Sequence, residues 1–159
     1  MLATPHLLAG AAVGKIIRRP WLAVTLAFAS HLLLDIVPHL DSHGLFGVRG
    51  GGLTRAEVIA ALVDTLLGIA LLIALVARRP NWRLLLGAGF AGVVLDLVDN
   101  VPPWSVWFRA WSVGGAISAF HHGIQHNVTH AQWPIGFATQ FLVAAVAVWV
   151  LTRKSRARV

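Results

Sequence analysis

The 159-residue chain is 57% hydrophobic and 12% charged, with a mean hydropathy of +0.74. That is too apolar for a soluble globular domain and too short for more than one membrane bundle. The formal charge of +7 does not indicate nucleic acid, because Lys and Arg sit in short runs at the ends of apolar segments: Lys15, Arg18 and Arg19; Arg78, Arg79 and Arg83; Arg153, Lys154, Arg156 and Arg158. The absence of cysteine excludes disulfides, thiolate metal sites and cysteine nucleophiles.

Five apolar segments predict an all-α integral membrane protein, a single transmembrane domain over 1–159. The expected spans are roughly 2–17, 21–38, 57–77, 82–101 and 134–152, with an interfacial amphipathic helix over roughly 103–130. The first segment is short for a span, and is expected to thin the bilayer or to sit partly inside the bundle. Its cations follow the apolar run, so it reads as a retained helix, not a signal peptide. It opens on Thr4-Pro5-His6.

The second segment carries the strongest motif, Ser30-His31-Leu32-Leu33-Leu34-Asp35-Ile36-Val37-Pro38-His39-Leu40-Asp41. His31 and Asp35 are four apart, so both project from one helical face, as two ligands of one metal must. Pro38 ends the helix, and His39 and Asp41 follow at its mouth. The loop after it holds His43, expected to be solvated, and Gly50-Gly51-Gly52, which lacks the Lys-Ser/Thr context of a phosphate loop. In the third segment Asp64 lies two turns in, with Glu57 seven residues earlier. A carboxylate at that depth is expected to point into the bundle. The fourth segment ends on Asp96-Leu97-Val98-Asp99, two acids that need a cation or a histidine partner. Its Val98-Asp99-Asn100-Val101-Pro102 weakly echoes Leu34-Asp35-Ile36-Val37-Pro38.

Pro102 and Pro103 stop the fourth helix. Trp104, Trp107, Phe108 and Trp111 then recur at i, i+3, i+4 and i+7, the pattern of a helix lying in the membrane interface. The histidine segment His121-His122-Gly123-Ile124-Gln125-His126-Asn127-Val128-Thr129-His130 follows. Helical spacing groups His122, His126 and His130, with His130 the expected bystander. Ten of the thirteen Lys and Arg lie in the turns at 15–20 and 78–83 and after 152, which predicts a cytoplasmic C-terminus in the cell (inner) membrane and places the His/Asp groups on the outer side. Trp21, Trp82 and Trp149 mark the inner interface, and Trp104, Trp107, Trp111 and Trp133 the outer one.

At Thr4-Pro5-His6-Leu7-Leu8, Ser30-His31-Leu32-Leu33-Leu34-Asp35 and His121-His122-Gly123-Ile124-Gln125-His126 the chain resembles the bacterial membrane-bound, metal-dependent hydrolases of the YdjM type. Those carry a Gly-His-Leu-Leu start, a Ser-His-x-x-x-Asp helix, a Pro-Asp-x-Asp-His turn and a His-Arg-Gly-x-Thr-His segment. The resemblance implies metal binding by His6, His31 and Asp35, and matches His121 and His126 to the histidines of the last segment. It therefore favours His121 where helical spacing favours His122. The order of the motifs differs here, and Pro38-His39-Leu40-Asp41 and Leu95-Asp96-Leu97-Val98-Asp99 are imperfect stand-ins for the acidic turn.

These readings converge on a divalent metal, zinc first, held by His31, Asp35, His121 or His122, and His126, with His6 and Asp99 next. Asp96, Asp64 and His39 are candidates for general base or for orienting a ligand. The leading function is hydrolysis of a lipid-like or amphipathic ester or phosphoester at the outer membrane face. The alternatives are a non-catalytic metal- or haem-binding membrane protein and a divalent-ion transporter. Segments 66–77, 84–95 and 141–151 hold no charge and no histidine, which disfavours a conduit through a monomer.

Overall fold

The computed structural model describes residues 1–41, 46 and 54–153. His43, the Gly50-Gly51-Gly52 loop and the tail cations Lys154, Arg156 and Arg158 lie outside these residues. Among the described residues the chain is all-helical: α1 (Ala3–Ile16), α2 (Pro20–Ile36), α3 (Arg55–Val76), α4 (Trp82–Ala91), α5 (Val94–Asn100), α6 (Trp104–Ala110), α7 (Ser112–Ile124), a 3-10 turn (His130–Gln132) and α8 (Trp133–Thr152).

Helix α1 is the central pillar, packed against α2, α3, α4 and α8. Its sequence is rich in Gly and Ala, and small residues let neighbouring backbones approach closely. Gly10 faces the Ala88 carbonyl, and a Cβ on Gly14 would lie 2.7 Å from the Ala88 Cβ. From the other side, Gly92 meets the His6 carbonyl and Gly89 the Leu7 carbonyl, at 2.6 and 3.0 Å for an added Cβ. At 14 residues α1 is only about 21 Å long, short of a hydrocarbon core of about 30 Å. It sits inside the bundle, as its length and composition suggested.

Helix α2 turns one stripe inward, Ala23, Ala27, His31 and Asp35, each four residues on. Helix α3 starts with a capping box: Thr54 Oγ1 accepts from Glu57 N at 3.3 Å and Glu57 Oε2 accepts from Thr54 N at 2.6 Å. The C-terminus of α8 is closed from outside. The Lys15 ammonium donates to the carbonyls of Val150 at 2.7 Å, Leu151 at 3.0 Å and Arg153, groups the helix leaves unpaired.

Among the described residues, two helices are long and apolar enough to cross a membrane: α3, with a mean hydropathy of 2.6 over its most apolar stretch, and His130–Thr152, with 2.0. Only 11% and 22% of those stretches are buried within the protein. Such contiguous exposed apolar surface needs an apolar neighbour. Helices α1 and α2 fall short of that length. The expected fourth span, 82–101, is interrupted at Gly92–Val93 into α4 and α5. The interruption falls where Gly92 lies against the His6 carbonyl of α1. The expected interfacial helix 103–130 is likewise two helices with a corner at Trp111 (φ −77°, ψ 129°). Gly114, pressed against the Phe108 carbonyl, makes that corner sterically possible.

After α7 the chain runs extended beside the end of α2. His126 N donates to Asp35 O at 2.8 Å, His39 N to His126 O at 3.1 Å, and Val128 N to His39 O at 2.8 Å. This parallel bridge closes the top of the bundle.

Substituting Gly10 by Val is expected to lower the midpoint of thermal unfolding in detergent by the equivalent of about 1–3 kcal/mol, through overpacking against α4. Gly87→Ala, with nothing within 4 Å of the new Cβ, is the control expected to raise it.

Candidate metal centre

Four donor groups meet where α2, α5 and α7 converge. His31 Nε2, His121 Nε2 and carboxylate oxygens of Asp35 and Asp96 all lie within 4.8 Å of one another. His121 Nε2 is 3.0 Å from Asp35 Oδ2 and 3.1 Å from His31 Nε2, and His31 Nε2 is 3.3 Å from Asp35 Oδ2. Asp96 Oδ1 stands farther off, 3.7 Å from His121 Nε2 and 3.9 Å from His31 Nε2. Donors about 2.0–2.1 Å from a tetrahedral ion are about 3.3 Å from one another, so the His31–Asp35–His121 spacings fit a small divalent cation.

The outer nitrogens settle which way these imidazoles face. The interruption after α4 leaves the Gly92 carbonyl free to accept from His31 Nδ1 at 3.0 Å. His121 Nδ1 donates to Asp99 Oδ2 at 3.1 Å. A neutral ring with its proton on Nδ1 presents a bare Nε2, and the amide of Gln125 donates to His121 Nε2 at 3.2 Å. With both rings in this tautomer, two bare nitrogens and two carboxylates converge, an arrangement that favours a cation among them. Histidine ligands that donate their second N–H to a carbonyl or a carboxylate are the usual companions of a bound metal.

Asp99 stands behind the group. It is fully buried and saturated: Oδ1 accepts from Ser118 Oγ at 2.7 Å and from Arg109 Nε at 2.8 Å, and Arg109 Nη2 also bonds the Asp99 carbonyl. Asp99 was expected as a ligand and Asp96 as a base or orienting group. The structure brings Asp96 into the four-group cluster and makes Asp99 the residue that orients His121. Burial opposes protonation of His121, but the hydrogen bonds to Asp35 and Asp99 outweigh it and hold the pKa above its ordinary value. The carboxylates that favour a proton on this ring would equally favour a bound cation in its place.

His6 and His39 border the same carboxylate. His6 Nε2 is 3.1 Å from Asp35 Oδ1, and its ring lies 4.2 Å from that of His31, centre to centre. The Met1 ammonium is 3.0 Å from Asp35 Oδ1. His39 Nδ1 donates to Val37 O at 2.8 Å, and its Nε2 points toward Asp35 Oδ1 at 3.9 Å. Burial first, then the Met1 ammonium, pushes the His39 pKa below its ordinary value, which keeps that ring neutral.

Three expected residues play other parts. His121, not His122, is the buried histidine, because α7 turns Gly114, Ser118 and His121 inward. His122 is 44% exposed and contacts Ser118 O at 3.0 Å and Asp99 Oδ2 at 3.6 Å. His126 lies beyond the end of α7, so its i+4 spacing from His122 carries no shared face; it is exposed and works through its backbone on Asp35 and His39. Asp64 Oδ2 accepts from Thr4 N at 3.1 Å and its carbonyl from Thr4 Oγ1 at 2.8 Å, so it caps the start of α1. Sequence reasoning passed over Arg109, Ser118 and Gln125. The signal was there in part: Arg109 is a lone cation in an apolar segment, and Ser118 and Gln125 flank His121 at helical spacings.

An all-helical protein with two possible membrane spans and a buried His/Asp group able to hold a metal ion is the class these observations define. No protein-family model, curated protein or solved structure matches the chain.

Asp99→Asn removes the charge that holds His121 in its tautomer and leaves the donor set intact. Zinc affinity, measured by competition with a chelating dye, is expected to fall about 10–100-fold. An unchanged affinity would show that Asp99 does not orient His121.

Proposed function

We propose that this chain is a membrane-embedded metal-dependent hydrolase, holding a divalent ion, zinc first, with His31, Asp35 and His121. The observation that carries the reading is the pair of imidazoles whose Nδ1–H groups are committed to Gly92 O and Asp99 while their Nε2 atoms face Asp35 and Asp96. The similarity to hydrolases of the YdjM type belongs to the same proposal. A divalent cation supplies Lewis acidity at such a site, polarising a phosphoryl or carbonyl oxygen and making water more acidic.

Asp96 is 20% exposed where the other members are buried, and its oxygen lies at the longest distances. In this reading it faces the open side as general base, taking a proton from the attacking water and returning it to the leaving alcohol. The substrate is a lipid-like or amphipathic ester or phosphoester. Supporting this, α7 carries His121 on its inner face and exposed Val113, Ile117 and Phe120 on its outer one, beside exposed Trp104 and Trp107 of α6. Acyl chains would meet the outer surfaces while the polar bond reaches the metal.

The reading includes five crossings, by α1, α2, α3, the interrupted α4–α5 and α8, in the cell (inner) membrane. The C-terminus would be cytoplasmic and the His/Asp site would open outward. The apolar cluster of Leu7, Leu8, Ala11, Leu72, Leu85 and Leu151 fills the bundle centre, which favours a one-sided pocket over a conduit. Haem between His31 and His121 is disfavoured, since nitrogens 3.1 Å apart cannot straddle a porphyrin plane.

The test is elemental analysis of the full chain in detergent, with hydrolysis of a chromogenic nitrophenyl phosphodiester in mixed micelles. Stoichiometric zinc should be lost in His31→Ala and His121→Ala. Asp96→Asn should keep the metal and lose about 100-fold or more of the turnover. Zinc bound equally by wild type and both histidine variants would sink the proposal.

Because the chain has no cysteine, single introduced cysteines report topology cleanly. Asn127→Cys should react with an impermeant maleimide in intact cells, and Arg153→Cys only after permeabilisation. The reverse pattern would invert the orientation.

A further inference from the structure

The two oxygens of Asp35 face different surroundings. Oδ2 meets His31 and His121, at 3.3 and 3.0 Å. Oδ1 meets His6 Nε2 at 3.1 Å, the Met1 ammonium at 3.0 Å and His39 Nε2 at 3.9 Å. From these contacts we propose that Asp35 bridges two divalent metal ions, the second held by Asp35 Oδ1, His6 Nε2 and His39 Nε2. This inference rests on the metal-dependent reading above and extends it to a binuclear site.

His39 carries the argument. Its ring is fully buried, and Nε2 has no hydrogen-bond partner. A buried nitrogen left unpaired costs about 1–3 kcal/mol. The ring is nonetheless fixed in that state. Its Nδ1–H is committed to Val37 O, the same device that bares His31 Nε2 through Gly92 O. Its backbone is clamped on both sides, N to His126 O and O to Val128 N. A structural histidine does not need such support to leave a bare nitrogen aimed at a carboxylate; a metal ligand does.

His6 completes the set from α1. It is fully buried, with Nε2 turned to Asp35 and Nδ1 without a partner. Oδ1 thus faces two buried imidazoles while Oδ2 is engaged by His121, and a divalent ion there would be held by these groups.

Carboxylate-bridged pairs of ions about 3.5–4 Å apart clamp the attacking and leaving oxygens of a phosphoryl centre. The charge balance agrees. Arg109 compensates Asp99, and the Met1 ammonium offsets one of the two charges of Asp35 and Asp96, so one divalent ion already leaves the site net positive and a second raises that charge further. Such a site selects an anionic group. Within the proposed function, the substrate class narrows to phosphoesters over carboxylic esters.

The full chain in detergent, stripped with a chelator and dialysed against buffered free zinc, is the material for the test. Zinc is counted by mass spectrometry, and X-ray absorption at the zinc edge reports metal–metal scattering. Two zinc ions per chain and a zinc–zinc vector near 3.5–4 Å are expected. His39→Gln and His6→Gln should each bind one zinc and lose the vector. One zinc per chain in the wild type, or two without the vector, overturns the second ion alone. A count of two that His39→Gln leaves at two, with the vector intact, overturns the assignment of His39. No zinc at all overturns both this inference and the metal-dependent reading. The wild-type vector decides the matter even if a variant fails to fold.

Discussion

Burying an ionised carboxylate costs several kcal/mol unless cations and donors surround it. Asp35 is fully buried, and the architecture around it answers that cost from every side. Helix α1 brings His6 and the Met1 ammonium, α2 brings His31 one turn earlier, and α7 brings His121. Its backbone is engaged too, through the carbonyl that accepts His126 N. The ends of α1, α2 and α7 and the segment after α7 are therefore held to one point. Removing that charge would leave the four buried imidazoles of His6, His31, His39 and His121 without their common partner.

What allows so many polar groups to meet inside an apolar chain is close backbone packing. Gly10, Gly14, Gly89 and Gly92 let α1 and α4 approach to backbone contact. The fourth apolar segment is interrupted at the same contact, at Gly92–Val93, and the carbonyl released there fixes the tautomer of His31. The packing of α1 on α4 and the chemistry of the centre are one feature. Loss of a hydrogen atom's worth of space at Gly92 would disturb both.

The distribution of polarity along α1 separates the two ends of the bundle. His6 joins the buried cluster near its start. Lys15, nine residues on and about 13 Å along the axis, caps α8 with its ammonium. Between them lies the apolar cluster of Leu7, Leu8, Ala11 and Leu85. The outward surfaces of α3 and α8 remain apolar and exposed. Much of the buried polar chemistry is thus gathered around Asp35, with the apolar cluster on one side and α7 and the segment after it on the other.

Much of this was legible in the chain itself. Apolar periodicity and length gave an all-helical chain, but not the breaks at Gly92–Val93 and Trp111 that divide two of the expected helices. Four-residue spacing put His31 and Asp35 on one face, and Pro38 ended their helix before His39. Charge runs and the lack of cysteine narrowed the site to histidine and carboxylate chemistry. The choice among near-equivalent residues was not legible, because it depends on how each helix is rotated about its axis, and neighbours set that rotation. Three-residue spacing put Asp96 and Asp99 on roughly one side, but only the packing of α5 against α6 and α7 turned Asp99 to Arg109 and Ser118 and left Asp96 at the rim. Helical spacing preferred His122, yet α7 ends at Ile124 and its Gly114–Ser118–His121 stripe faces inward. Asp64 looked like a site residue by its depth, and became a cap because the start of α1 lies beside it. Local sequence determined which residue types were available and where helices could form; the tertiary structure alone decided which of them meet, since that meeting rests on backbone contacts between segments distant in the chain.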